Sequence, residues 1–169
     1  LEPKIGALLA LADPALKTLA IEIMIAHELK AGAEQMAAIV SDGQAAAALR
    51  EQALRLLAGE ERKNPVYLRV LDEVLGADAP AALHMAALEL LLPSRPERLA
   101  TEAPATLKGR SVAEKQHVLA QLAAAAHAAT DAVIDGQAAT LLNGTCPPAL
   151  QLDVMEAVAA RAAANPVLA

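Results

Sequence analysis

Four histidines, one cysteine and their neighbouring carboxylates are the residues of this 169-residue chain best equipped for chemistry. His27-Glu28 sets an imidazole beside a carboxylate, two groups that ligate transition metals. A single pair does not make a site, because several ligands must converge. His84, His117 and His127 are followed by Met85, Val118 and Ala128 rather than by an acid. His117 and His127 are ten residues apart, which puts them on different faces of one helix. These spacings predict no bound metal and no cofactor.

Cys146 stands alone, so neither an internal disulfide nor a cysteine metal cluster can form. It precedes Pro147-Pro148 in a turn ahead of a helix, and helix N-termini are places where thiols become reactive. No histidine lies near in sequence to act as its base, so the expectation is a small residue packed in a turn. Glu60-Glu61-Arg62-Lys63 reads as a solvated turn, and the glycines are isolated, with no phosphate-cradling loop. No grouping of nucleophile, base and orienting residue stands out, and the chain is expected not to be an enzyme.

Composition narrows the elements that position these residues. Hydrophobic residues make up 56% of the chain, yet it has one Tyr, no Phe and no Trp. Ala, Leu and Val must then fill the core, which suits closely spaced helices better than a sandwich or barrel. The net charge of −6 lacks the basic footprint that phosphate binding leaves, so nucleic acid is excluded as a partner. The small clusters Arg95, Arg98 and Lys108, Arg110 are mixed with Glu97 and Glu102. The apolar stretch 5–26 is broken by Asp13, Pro14, Lys17 and Glu22, which argues against a membrane span.

Self-comparison carries the strongest signal. Five segments align on Ala15, Ala48, Ala82, Ala113 and Ala149, at offsets of 33, 34, 31 and 36 residues. Five residues after each anchor stand Ala20, Ala53, Ala87, Val118 and Val154; next come Ile21, Leu54, Leu88, Leu119 and Met155. Nine after it stand Met24, Leu57, Leu91, Leu122 and Val158. The position two after the anchor is polar each time: Lys17, Arg50, His84, Lys115, Gln151. This is one amphipathic helix written five times.

A second helix is expected after each first one, at about Ala33 to Val40, Val66 to Leu75 with Gly76 ending it, Pro96 to Ala103, and Thr130 to Leu142. Gly32, Pro65, Thr130 and Pro166 fall seventeen residues after their anchors, and Asn64-Pro65-Val66 and Asn165-Pro166-Val167 share a phase. Pro96 and Pro104 predict a short or broken helix in the third repeat. Glu114 stands where the other repeats have Leu, and Gln121 where the others are apolar. Asp42-Gly43-Gln44-Ala45-Ala46 and 135–139 are the same string at different phases.

With paired helices, no aromatic signature, and Asp13-Pro14, Ala79-Pro80 or Pro147-Pro148 ahead of a first helix, the chain resembles the HEAT-repeat, armadillo-like family. The resemblance implies an all-α fold, a right-handed α-solenoid of about five helix pairs forming an α-α superhelix. A single domain over 1–169 is expected, with repeats at about 13–44, 45–78, 79–110, 111–145 and an incomplete 146–169. Pro3 to Ala12 would be the second helix of a preceding unit, and both ends look cut from a longer protein. Tetratricopeptide repeats share the period but carry Tyr, Phe and Trp at set positions.

The segment Asn143-Gly144-Thr145-Cys146-Pro147-Pro148-Ala149 is also similar to the helical part of large secreted bacterial proteins that join a dehydrogenase-like propeller to a c-type haem domain. That likeness implies a spacer between redox modules and a periplasmic or secreted location; without it the expectation is cytoplasmic. The haem-attachment pattern is absent here.

Solenoids of this kind bind partners along a face lined by second helices. The expected function is therefore a non-catalytic scaffold that contacts a protein partner or spaces neighbouring domains of its own chain. Gln35, Arg69, Glu73, Arg98, Glu102 and Asp131 are the expected surface residues, with Tyr67 as an anchor or, from its place on an apolar stripe, a core residue. The alternative is an enzyme on the same scaffold. A HEAT-like metal-dependent hydroxylase would use His27 and Glu28; a HEAT-type DNA glycosylase would need a basic groove and aromatics, neither of which is visible.

Overall fold

Asp13 shows how a first helix begins: its Oδ1 accepts hydrogen bonds from Ala15 N at 2.8 Å and Leu16 N at 3.4 Å, and Pro14 follows at the first helical position. Proline costs nothing there, because that N–H has no partner inside the helix. The computed structural model describes residues 2–11, 13–27, 33–60, 65–76 and 79–164. Glu28, Gly32, Asn64, most of the Glu60-Glu61-Arg62-Lys63 run, and Asn165-Pro166-Val167 lie outside them.

The described residues are helical throughout, with no strand among them: α1 (Glu2–Leu9), α2 (Pro14–His27), α3 (Ala33–Ser41), α4 (Ala47–Glu60), α5 (Pro65–Val74), α6 (Ala81–Leu91), α7 (Pro96–Gly109), α8 (Val112–Ala124), α9 (Ala128–Leu142) and α10 (Gln151–Ala164). One 3₁₀ turn, Pro148–Leu150, leads into α10. Every first helix, that turn included, starts one residue ahead of its anchor alanine.

The aligned columns are buried as columns. Ala20, Ala53, Ala87, Val118 and Val154 are all wholly inaccessible. The next column is equally closed at Ile21, Leu54, Leu88 and Leu119, but Met155 is 50% exposed. The column nine after the anchor is buried from Met24 to Leu122 and ends at an exposed Val158. Removing one such Leu side chain from water contributes about 2 kcal/mol, so four filled repeats of the pattern make a substantial core.

The chain divides into two compact units, Leu1–Ala87 and Leu88–Ala169, with the boundary falling within α6. In the first unit α1 packs on α2, α2 on α4, α3 on α4 and α5, and α4 on α5. In the second, α7 packs on α8 and α9, α8 on α9 and α10, and α9 on α10. Leu119 of α8 gathers Cys146, Leu150 and Val154 around it, with Leu107 and Leu141 at the edge.

Three local features depart from the expectations. α7 is neither short nor broken: it runs on to Gly109 with Pro104 inside it. Proline withholds the N–H that would bond the Ala100 carbonyl, a cost of about 3 kcal/mol. Leu99, Ala103 and Thr106 are buried on either side, and the proline ring stands on the exposed side. Tertiary burial outweighs the local penalty. Glu114, at a leucine column, is 3% exposed and completes a capping box. Its carboxylate accepts hydrogen bonds from Ser111 N at 3.1 Å and Ser111 Oγ at 2.7 Å, and Arg110 lies 3.4 Å away. The duplicated string takes two conformations. At 42–46 it is a turn in which Asp42 Oδ1 accepts from Gln44 N at 2.9 Å; at 135–139 it lies within α9.

α9 ends in a Schellman turn. Gly144 has φ of +73°, Thr145 N donates to Thr140 O at 2.9 Å and Gly144 N to Leu141 O at 3.2 Å. A glycine is the residue that enters this left-handed region without strain. The chain then turns back and buries Cys146 ahead of α10.

Candidate functional site: the second-helix surfaces

In the first unit the surface residues come from α3 and α5. Spacing of four places Arg69 and Glu73 one turn apart on α5, outside the buried stripe of Tyr67, Val70, Leu71 and Val74. Arg69 Nη2 reaches Glu34 Oε2 of α3 at 3.0 Å, and both side chains are largely exposed. Glu73 accepts a hydrogen bond from Ser41 Oγ at 2.8 Å. Gln35 is exposed beside Glu34. Three of the expected residues, Gln35, Arg69 and Glu73, therefore share one polar α3–α5 surface. Such exposed pairs add little stability, about 0–1 kcal/mol.

A concave opening of about 430 Å³ lies beside this surface, lined by Val40, Gly43, Arg50, Glu73, Val74 and Gly76 among others. Arg50 Nε donates to the Val40 carbonyl at 2.7 Å, so this polar column residue holds the end of α3 against α4.

In the second unit the surface comes from α7 and α9. Arg98 and Glu102 form an i,i+4 ion pair at 3.5 Å and are half-buried rather than freely exposed. Glu97 meets His127 Nε2 at 3.1 Å, while His127 Nδ1 accepts from Ala129 N at 3.2 Å and caps α9. The neutral imidazole with its proton on Nε2 satisfies both contacts. His127 is thus a structural residue at a helix start, a role its spacing from His117 could not show.

Two expected surface residues are placed elsewhere. Tyr67 is 2% exposed and belongs to the core of its unit, so no anchor is presented there. Asp131 is partly buried and bound by Arg161 of α10, whose Nη2 donates to Oδ2 at 3.1 Å alongside the Nε–Oδ1 contact. The hydrogen bond to Asp131 raises the Arg161 pKa above its ordinary value; burial works against this and the Asp131 charge adds to it. This pair ties α9 to α10.

Of the chemical candidates, His27 is exposed at the end of α2, and Glu28 lies outside the described residues. His84 is buried on α6; His117 Nε2 stands 3.6 Å from Glu89 Oε1. Among the described residues no three His, Cys, Asp or Glu side chains gather as a metal site would need, and no helix is long and apolar enough to cross a membrane. Cys146 is buried in the apolar cluster of Leu119, Leu150 and Val154.

Comparison with protein families, with curated proteins and with solved structures finds no match to the chain.

Proposed function

We propose that the chain is a non-catalytic helical-repeat scaffold, a right-handed α-solenoid of HEAT-like helix pairs that carries contacts to another protein or to neighbouring domains. One observation supports this above the others. Within each unit first helices pack on first helices and second on second: α2 on α4 and α3 on α5, then α8 on α10 and α7 on α9. Quasi-one-dimensional arrays are built by that nearest-neighbour order, and they expose a continuous second-helix surface. The partner surface is the mixed-charge α3–α5 face of Gln35, Arg69 and Glu73, with Arg98 and Glu102 of α7 as its counterpart in the second unit. A partner with interspersed acidic and basic groups suits it better than a polyanion.

The test is a deletion in register. Removing residues 15–47 joins Pro14 to Ala48 and sets α4 in the place of α2. A nearest-neighbour array tolerates this: the shortened chain should keep its helical circular dichroism per residue and unfold cooperatively. Removing 15–31, half a period, should give an aggregating or unfolded product. If the in-register deletion also fails to fold, the repeat reading is wrong. A stoichiometric metal in the purified chain, measured by elemental analysis, would overturn the non-catalytic half of the proposal.

A further inference from the structure

Among the described residues, Asp13, Ser111 and His127 each accept a backbone N–H at the start of a helix, α2, α8 and α9 in turn. A carboxylate and a hydroxyl keep their charge between about pH 5 and 8, whereas an imidazole changes its own there. α9 therefore begins on a cap of a different kind. His127 Nδ1 accepts from Ala129 N at 3.2 Å while Nε2 faces Glu97 Oε1 at 3.1 Å. A proton added to Nδ1 takes the lone pair that Ala129 N uses, and two N–H groups then point at each other. It also sets a positive charge against the positive end of the helix. The connection supplies no substitute, since only Ala125 and Ala126 lie between α8 and His127, and neither side chain has an acceptor.

The charges around the imidazole decide the sign of the effect. α7, α8 and α10 pack against α9. On α7, Glu97 touches the ring, with Arg95 and Arg98 to either side in the chain and Arg98 held by Glu102 at 3.5 Å. The last turn of α8, Gln121 to Ala124, has no acid or base, and His117 further back faces Glu89. On α9 itself Asp131 is one turn on, bound by Arg161 of α10. Protonation thus gains one ion pair, to Glu97. That side chain is 69% exposed, and exposed pairs hold little. Loss of the cap together with the unfavourable helix dipole outweighs it.

We infer that the start of α9 is a pH-sensitive latch: protonation of His127 uncaps the helix, frays its first turn and loosens the tie to α10. That turn contains Thr130, wholly buried, whose hydroxyl donates to the Ala125 carbonyl at 2.8 Å, and Asp131, which holds Arg161. The inference stands on the second unit alone and does not depend on the repeat reading.

NMR and amide hydrogen exchange of the whole chain between about pH 8 and 5.5 test it. The variants are His127→Asn, a cap that does not titrate, and Glu97→Gln, which keeps the cap and removes the opposing charge. Both are first checked for wild-type helical dichroism at the alkaline end. After allowance for the intrinsic pH dependence of exchange, the wild-type Ala129 and Asp131 amides should lose about fivefold of their protection on acidification. The Ala129 amide shift should follow the titration of the His127 ring. His127→Asn should show neither effect, and Glu97→Gln should lose more protection than the wild type. Wild-type protection that does not change, or an equal loss in His127→Asn, overturns the inference. So does a loss that vanishes in Glu97→Gln, which would assign the response to the Glu97 pair instead. The wild-type titration decides the case without any variant: an Ala129 shift that ignores the ring means that there is no latch.

Discussion

Asp131 carries the largest change between what its position suggests and what its side chain does. It sits in the first turn of α9, on a helix expected to face solvent, yet it is held by two contacts to Arg161. Arg161 is 8% exposed, and its guanidinium depends on that carboxylate for its charge balance. Asp131→Ala should therefore cost about 3 kcal/mol, because it strands a buried cation, whereas Arg161→Met with Asp131→Asn should cost less than the single change. Urea unfolding midpoints of the two variants decide this. The raised Arg161 pKa has a defined sign: its stabilisation is present at all pH below the unfolded value and is lost only as pH climbs through the still higher folded value, far above neutrality. Stability between pH 6 and 9 should thus show no loss traceable to Arg161.

Element by element, the first helices were legible because three apolar columns recur at one phase, and α2, α4, α6, α8 and the 3₁₀ turn leading into α10 each begin one residue before the anchor. The second helices were legible too: those expected at Ala33 to Val40, Val66 to Leu75 and Thr130 to Leu142 match α3, α5 and α9 to within two residues at each end. α7 was misjudged at its C-terminal half because Pro104 is a strong local signal and the burial of Thr106 and Leu107 is a tertiary one. The Asp-Gly-Gln-Ala-Ala string makes the same point with its residues held constant: a turn before α4 and a helix interior in α9. Glu114 was legible in principle, since Ser111-Val112-Ala113-Glu114 is a capping-box pattern. Its place in a leucine column drew attention to what was missing rather than to what the carboxylate binds. Removing the local conflict in α7 should help: Pro104→Ala restores an N–H to the Ala100 carbonyl at an exposed position. A gain of about 2 kcal/mol is expected, seen as a higher denaturation midpoint with an unchanged slope.

At the scale of the whole molecule, the all-helical architecture follows from a composition that leaves packing to Ala, Leu and Val. The candidate surface was half legible. Gln35, Arg69 and Glu73 share a face because helical spacing put polar residues opposite a buried stripe, and spacing is visible in a sequence. That Asp131 would be claimed by Arg161, thirty residues on, depends on how α9 and α10 meet, which no local pattern encodes.

The scarcity of aromatics equips the chain with its own optical readout. Without Trp or Phe, all intrinsic emission on excitation near 280 nm comes from Tyr67, sealed inside the first unit. The single thiol, Cys146, is sealed inside the second. Tyrosine fluorescence and thiol labelling therefore time the opening of the two halves separately, in one unmodified sample. Cys146 should react with a thiol reagent far more slowly than free cysteine in buffer and reach the free rate only in denaturant, and any gap between the two traces measures how independently the halves come apart.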